Sequence, residues 1–382
     1  MSINHPSVRP GRWLLASALC LSVAIPVAAA ESVSTEYQSI ELETVAEGFE
    51  HPWSIAFLPD GDMLVTERPG RLSRVDNEGN KTAIDGTPEV HAAGQGGLLE
   101  VLPHPDFENN RYVYLTYSKP DGDETATALA RGRLENDTLH DLEDLFVQNR
   151  YSGPGRHYGS KLAWMPDGTL LMSIGDRGSE PERAQDPADH AGTLLRLNDD
   201  GSVPEDNPFV GDDSHAPEIF SHGHRNIQGL IVHPETGEIW ATEHGPRGSD
   251  ELNHVRAGEN YGWPKVTKGR DYRTEEQFGD SVRSHPDMVD PVIDWTPSLA
   301  ASGLAVLADD HFPAWQGNLL AGGLRSQQIR RVVFENDEVV HQEELLRDHI
   351  GRIRDVRVGP DGNIYVAVDA GDAAIYRISP AN

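Results

Sequence analysis

The segment Leu162-Ala163-Trp164-Met165-Pro166-Asp167-Gly168-Thr169-Leu170-Leu171-Met172-Ser173-Ile174 sets an apolar run on each side of a Pro-Asp-Gly turn. This pattern predicts two antiparallel strands and a tight connection, because Pro presets φ, Asp bonds its own backbone and Gly accepts positive φ. The pattern returns at Ser54 to Pro59-Asp60-Gly61, at Gly97 to Pro105-Asp106, at Gly229 to Pro234, and at Val356 to Pro360-Asp361-Gly362. Each of these is followed by a second apolar run. A degenerate copy runs from Gly303 to Leu307, with Asp309-Asp310 and, later, Asn318 to Gly322. Pro59 and Pro360 stand 301 positions apart (360 − 59). Divided over five intervals, that is about 60 residues per copy, the span of a propeller blade with generous loops. Six copies predict an all-β fold, a six-bladed β-propeller with four-stranded antiparallel blades. The early strand Tyr37 to Val45 is expected to complete the last blade and close the ring. A two-sheet sandwich is the alternative, and it does not require a turn recurring at this interval.

Composition agrees. The 37 Gly and 26 Pro are spread along all 382 residues, as many short strands require. Met1 to Ala30 carries Arg9 and Arg12, an apolar run from Trp13 to Val27 and Ala28-Ala29-Ala30, the pattern of a cleaved export signal. The run is shorter than the roughly 20 apolar residues of a membrane span. Residues 31–382 are therefore expected as one propeller domain, periplasmic or secreted and not inserted in a membrane. The only cysteine, Cys20, would leave with the leader, so disulfides hold nothing together. The net charge of −30 becomes −32 once two arginines are removed, which argues against nucleic acid as a partner. Such an acidic, lysine-poor surface suits a protein working in salt.

Equivalent offsets in the copies point to one place. Gln95 lies ten residues before Pro105, His157 nine before Pro166, Arg225 nine before Pro234, and Arg352 and Arg354 eight and six before Pro360. In a propeller these positions ring one mouth of the central channel, where a ligand would sit. Several arginines, an amide and a histidine suit a planar poly-carboxylate, since guanidinium forks match carboxylates in pairs. The competing account is that these arginines make solvated ion pairs with the abundant acids. His157 titrates near neutrality and is the candidate base, with Asp176 placed to hold its second nitrogen. Three polar clusters flank one short strand between Ser221 and Pro264: His224-Arg225-Asn226, Glu243 to Glu251 with a Gly245-Pro246 turn, and Asn260-Tyr261-Gly262-Trp263-Pro264. A nucleophile elbow, a phosphate loop, a dinucleotide fingerprint and zinc spacing are all missing from the sequence.

Taken together, Gly94-Gln95-Gly-Gly-Leu-Leu, His157-Tyr-Gly-Ser-Lys-Leu, Ile-Gly-Asp176, Gly223-His-Arg225-Asn226, Glu243 to Glu251, Asn260 to Pro264 and Arg352-Ile-Arg354 resemble the soluble quinoprotein sugar dehydrogenases. The likeness is greatest to the periplasmic aldose sugar dehydrogenases that use pyrroloquinoline quinone (PQQ). It covers nearly the whole mature chain. It implies that His157 takes a proton from the sugar's anomeric hydroxyl, that Asp176 orients it, and that Arg225 polarises the quinone. It further implies PQQ contacts from Gln95, Asn226, Tyr272, Arg325, Arg352 and Arg354. The Gly245 and Pro246 carbonyls, Glu251 and the Tyr261 carbonyl match calcium (Ca2+) positions. The implied partners are an aldose and an external electron acceptor (quinone, dye or cytochrome), with the protein a monomer or homodimer. Two positions depart from the better-known glucose enzymes: Arg156 stands where they carry an acid, and Arg325 where they carry a lysine. A calcium-dependent lactonase and a non-catalytic binding propeller are the alternatives on the same scaffold.

Overall fold

The structure is a computed structural model that describes residues 1–2, 30–153 and 155–381. The expected leader therefore lies outside the described residues except at its two ends. Six antiparallel sheets follow one another along the chain. Their innermost strands are Pro52–Phe57, Leu98–Pro103, Leu162–Trp164, Ile227–Val232, Ala301–Val306 and Ile353–Val358, one in each sequence copy. The fold is a six-bladed β-propeller with four-stranded antiparallel blades, and the last sheet carries a fifth strand, Glu31–Ser34.

The strand expected at Tyr37 to Val45 spans Ser39–Phe49 and pairs with the C-terminal strand Ala373–Pro380, with Leu42 opposite Ile378. The two ends of the chain thus share one sheet, which closes the ring and leaves each blade a single outer edge strand.

The recurring turns behave as their residues dictate. Met165 N donates to Thr169 O, Asp167 Oδ1 accepts from Thr169 N at 2.9 Å, and Gly168 holds φ 85°. Asp361 and Gly362 repeat the arrangement, with Asp361 Oδ1 accepting from Asn363 N at 3.1 Å and Gly362 at φ 78°. These turns join each innermost strand to the second at one end of the channel, so the starts of the innermost strands gather at the other end.

Each pair of neighbouring blades encloses its own apolar cluster. Tyr114, Leu129, Leu162 and Met172 lie between the second and third blades, and Leu320, Ile329, Ile353 and Val366 between the fifth and sixth. The degenerate fifth copy replaces its tight turn with a longer connection that buries Phe312 stacked on Trp315 at 5.4 Å.

The channel itself is blocked by charge. Lys161 Nζ lies 2.9 Å from both Glu100 Oε2 and Asp355 Oδ1, and Arg357 bonds the same two carboxylates. Ser54 Oγ adds a donor to Glu100 at 2.9 Å. Burial alone would raise the Asp355 carboxyl, but Arg357 and Lys161 outweigh it and hold it below the usual range. Two acids and two bases from three blades seal the axis.

Candidate active site

Above the seal opens a cavity of about 240 Å³. Its apolar wall is a small cluster of Trp53, Leu99 and Tyr158, contributed by three different blades. Gln95, Asn226 and Gln228 supply amides, and Arg68, Arg352 and Arg354 supply cations against one carboxylate, Asp369. Arg354 donates from Nη1 to Gln228 Oε1 at 2.9 Å, and its guanidinium carbon lies 5.7 Å from the Trp53 ring centre. Burial pulls the Arg354 pKa down to about 10, with Arg68 and Arg352 adding to it, and the charge of Asp369 does not make up the difference. Arg352 and Arg68 both reach toward Asp369, at 3.1 and 4.0 Å, and His51 Nδ1 meets the same carboxylate at 2.8 Å.

At the cavity's edge runs the loop that leads into the third blade. His157, Gly159 and Ser160 all adopt positive φ (53°, 64° and 81°). That conformation strains a non-glycine residue and persists only where neighbours enforce it. The enforcement is visible: Gln95 Oε1 accepts from His157 N at 2.8 Å, and Asn226 Oδ1 accepts from Gly159 N at 3.1 Å. Gln228 Nε2 donates to Gly159 O at 3.0 Å, and the Arg177 guanidinium lies 3.7 Å from the Tyr158 ring centre. A Cβ on Gly159 would come within 2.8 Å of the backbone at 173–175, so the loop packs against the next strand only with glycine there.

The loop presents His157 to Asp176, with Nδ1 and Oδ1 2.6 Å apart. Asp176 Oδ1 also accepts from Gly178 N, and its Oδ2 accepts from Trp263 Nε1, each at 2.8 Å. Burial would raise the Asp176 carboxyl, but His157, Arg225 and the Trp263 donor together hold it below its usual range. An anionic Asp176 takes the hydrogen on Nδ1, which leaves Nε2 of His157 as the free base. The His157 pKa lies below its ordinary value because burial and the Arg225 charge outweigh Asp176, so the ring is neutral at neutral pH. Arg225 is fixed by its Nη1 bond to His244 O at 3.0 Å, by Glu243 accepting its backbone N–H at 3.0 Å, and by the Trp263 ring, 5.2 Å from its guanidinium.

Of the residues read from the sequence, Gln95, Asn226, Arg352 and Arg354 line the cavity. His157, Asp176 and Arg225 stand next to it, tied to its lining residues Gln95 and His244 by hydrogen bonds and to one another by charge. Tyr272 and Arg325 lie farther out and do not line the cavity. Tyr272 is 60% exposed on the long excursion between the last two strands of the fourth blade. Arg325 is exposed beside Leu324, a lining residue. Gly245 and Pro246 are buried, and Gly245 N donates to Asp250 at 3.1 Å. Glu251 stands opposite Glu243 across two strands, and Asn253 Nδ2 donates to both. Burial and the neighbouring Glu243 charge push the Glu251 carboxyl well up, a pairing of acids that a cation would relieve. Tyr261 is buried and stacked on His224 at 4.5 Å. Among the described residues no group of three or more His, Cys, Asp or Glu side chains is placed to hold a metal.

Arg68, His244, Leu324 and Asp369, which the sequence reading missed, share one position: each directly follows the second strand of its blade. Asp176 lies two residues beyond the corresponding strand, so the same rule applied to every copy would have found this second ring.

Comparison with known proteins places the chain in company. The Glucose / Sorbosone dehydrogenase family model matches residues 49–377. The aldose sugar dehydrogenase YliI of Escherichia coli is 37% identical over 97% of this chain and 99% of its own length. A crystal structure of a glucose dehydrogenase superposes with TM-score 0.86 at 41% identity, covering 89% of this chain and 99% of that one. The PQQ-bound aldose sugar dehydrogenase of Streptomyces coelicolor superposes with TM-score 0.74 at 27% identity, covering 89% and 98%.

Proposed function

This chain belongs to the glucose/sorbosone dehydrogenase family and is an oxidoreductase acting on sugars, and from that premise we propose that it oxidises the anomeric carbon of aldoses to lactones with PQQ and calcium. The reading further takes the electrons to an external acceptor and the mature protein to the periplasm or beyond. No helix among the described residues is long and apolar enough to cross a membrane.

The cavity's charge supports the cofactor. Three arginines against one carboxylate leave +2 on the wall (3 − 1), while Arg225 next to it is balanced by the anionic Asp176. PQQ is a planar tricarboxylate, so charge and shape both suit it. Gln95, Asn226, Arg352 and Arg354 would hold it with Arg68 and Gln228, while Tyr272 and Arg325 would flank the mouth from outer loops. Calcium would take the Gly245 and Pro246 carbonyls near the cofactor and Glu251 with the Tyr261 carbonyl farther out. When bound, PQQ supplies the two-electron acceptor for the hydride on the anomeric carbon.

The chain's own residues supply the rest. Nε2 of His157 takes the anomeric hydroxyl proton, and Asp176 steadies the imidazolium that results. Arg225 keeps a positive charge at the mouth, where negative charge gathers as the sugar is oxidised. The neutral, oriented His157 beside the arginine-lined cavity is the observation that carries this reading. The lactonase alternative would need free carboxylates and a metal at the channel centre, where Glu100 and Asp355 are instead fully ion-paired.

The test adds PQQ and calcium to purified protein, supplies an aldose and a dye acceptor, and follows dye reduction. The expected result is turnover that falls by about 10²- to 10⁴-fold in His157→Ala, with PQQ still bound. No reduction with any aldose, or undiminished turnover in the variant, would overturn the reading.

A further inference from the structure

Resting on that reading, we propose that Trp263 is a positioning residue of the sugar oxidation: its indole N–H fixes the carboxylate that orients the base, and its ring seats the neighbouring Arg225. The geometry is specific. Nε1 donates to Asp176 Oδ2 at 2.8 Å, while the other oxygen of the same carboxylate faces His157. The Arg225 guanidinium lies 5.2 Å from the centre of the same ring. One side chain therefore touches the partner of the base and the mouth's cation at once.

Trp263 is itself immobilised from both ends. Its N–H donates to Gly223 O at 2.8 Å, and its carbonyl accepts from Gln185 Nε2 at 2.8 Å. The turn before it is locked as well: Gly262, at φ 89°, donates to Asn260 Oδ1, and a Cβ on Gly223 would lie 2.2 Å from that oxygen. Phe278, from the excursion of the fourth blade, packs on the far side of the indole at 4.7 Å. A tryptophan that merely filled space would need neither a carboxylate at its nitrogen nor a cation over its ring.

The chemical consequence has a definite sign. A donor on Asp176 Oδ2 disperses the carboxylate charge, so Asp176 stabilises the imidazolium less than it would unaided. Trp263 therefore keeps His157 a weaker base. The charged and titratable groups facing this pair are Arg225 and Arg156, which lower the His157 pKa, and His244, pulled down to about 3 and neutral throughout the working range. None of these depends on the indole nitrogen.

The experiment uses holoenzyme loaded with PQQ and calcium. In Trp263→Phe, which keeps an aromatic ring and removes the donor, the acid limb of kcat/KM should move to higher pH by roughly half to one unit, with PQQ affinity unchanged within about threefold. Phe278→Ala, which keeps the donor, should leave the limb where it is. An unmoved limb in a folded Trp263→Phe enzyme overturns the proposal. If that variant does not fold, ¹⁵N-labelled tryptophan in the wild type decides. One indole N–H signal should titrate with the acid limb and cease to do so in His157→Ala, and its absence is equally fatal. Lack of any wild-type turnover would instead count against the PQQ reading, so the two failures are distinct.

Discussion

Two clusters of charge lie one above the other on the propeller axis, the lower buried and the upper opening to solvent at Arg352, and they are built on opposite plans. In the lower, Lys161 and Arg357 face Glu100 and Asp355, each cation within bonding distance of both acids. In the upper, Arg68, Arg352 and Arg354 share the charge of a single Asp369, and the one direct side-chain bond of Arg354 goes to the neutral oxygen of Gln228. A protein leaves a desolvated cation without a counter-ion of its own only at a cost, so compensation marks the lower cluster as scaffold and its lack marks the upper one as a receptor for an anion.

The difference breaks most visibly if Lys161 is replaced. Lys161→Met leaves two buried carboxylates with one arginine, and denaturant unfolding should show a loss of about 3–5 kcal/mol. A loss under about 1 kcal/mol would mean the seal is not an interdependent network. The upper cluster should answer in the reverse sense. Arg354→Met removes a cation whose folded pKa, about 10, lies below its ordinary value, so its charged form opposes folding at every pH below that point. Stability should stay within about 1 kcal/mol of wild type, because the lost bond to Gln228 offsets the relief. PQQ affinity, measured by equilibrium titration, should fall about 100-fold. If instead stability collapses and affinity holds, the two clusters have exchanged roles.

How far the chain could be read in advance follows from how local each signal is. The Pro-Asp-Gly turns are dictated by their own residues, so the six copies and the closing strand were legible, with the strand shifted to Ser39–Phe49. Gln95, His157, Arg225, Arg352 and Arg354 were legible because they keep a nearly constant offset from those turns. Trp53 was not, since an apolar residue at the head of an apolar strand reads as core. Arg68, His244 and Asp369 follow second strands, on the far side of the strand from the Pro-Asp-Gly turns that indexed the reading, so no offset was counted to them. Trp263 was legible as part of a turn and invisible as a donor, because its partner Asp176 lies 87 positions away. The pairing of Glu243 with Glu251 also depends on strand register, which composition does not reveal.

The smallest effect is expected at the outer margin of the upper cluster, and it defines where the receptor ends. Arg325 is exposed, bonded through its backbone N–H to Leu299 O at 3.0 Å, and separated from the cavity by Leu324. An exposed cation can still contribute through the field it adds to the mouth, but water and salt screen that contribution heavily. Arg325→Ala should therefore weaken PQQ by less than about tenfold, with the deficit shrinking as salt is raised from low to physiological strength. A loss as large as that of Arg354→Met, and insensitive to salt, would show that Arg325 swings inward to meet the cofactor directly. The receptor would then extend beyond the cavity wall to the outer loops, and Tyr272 on the neighbouring excursion would become the next residue to test.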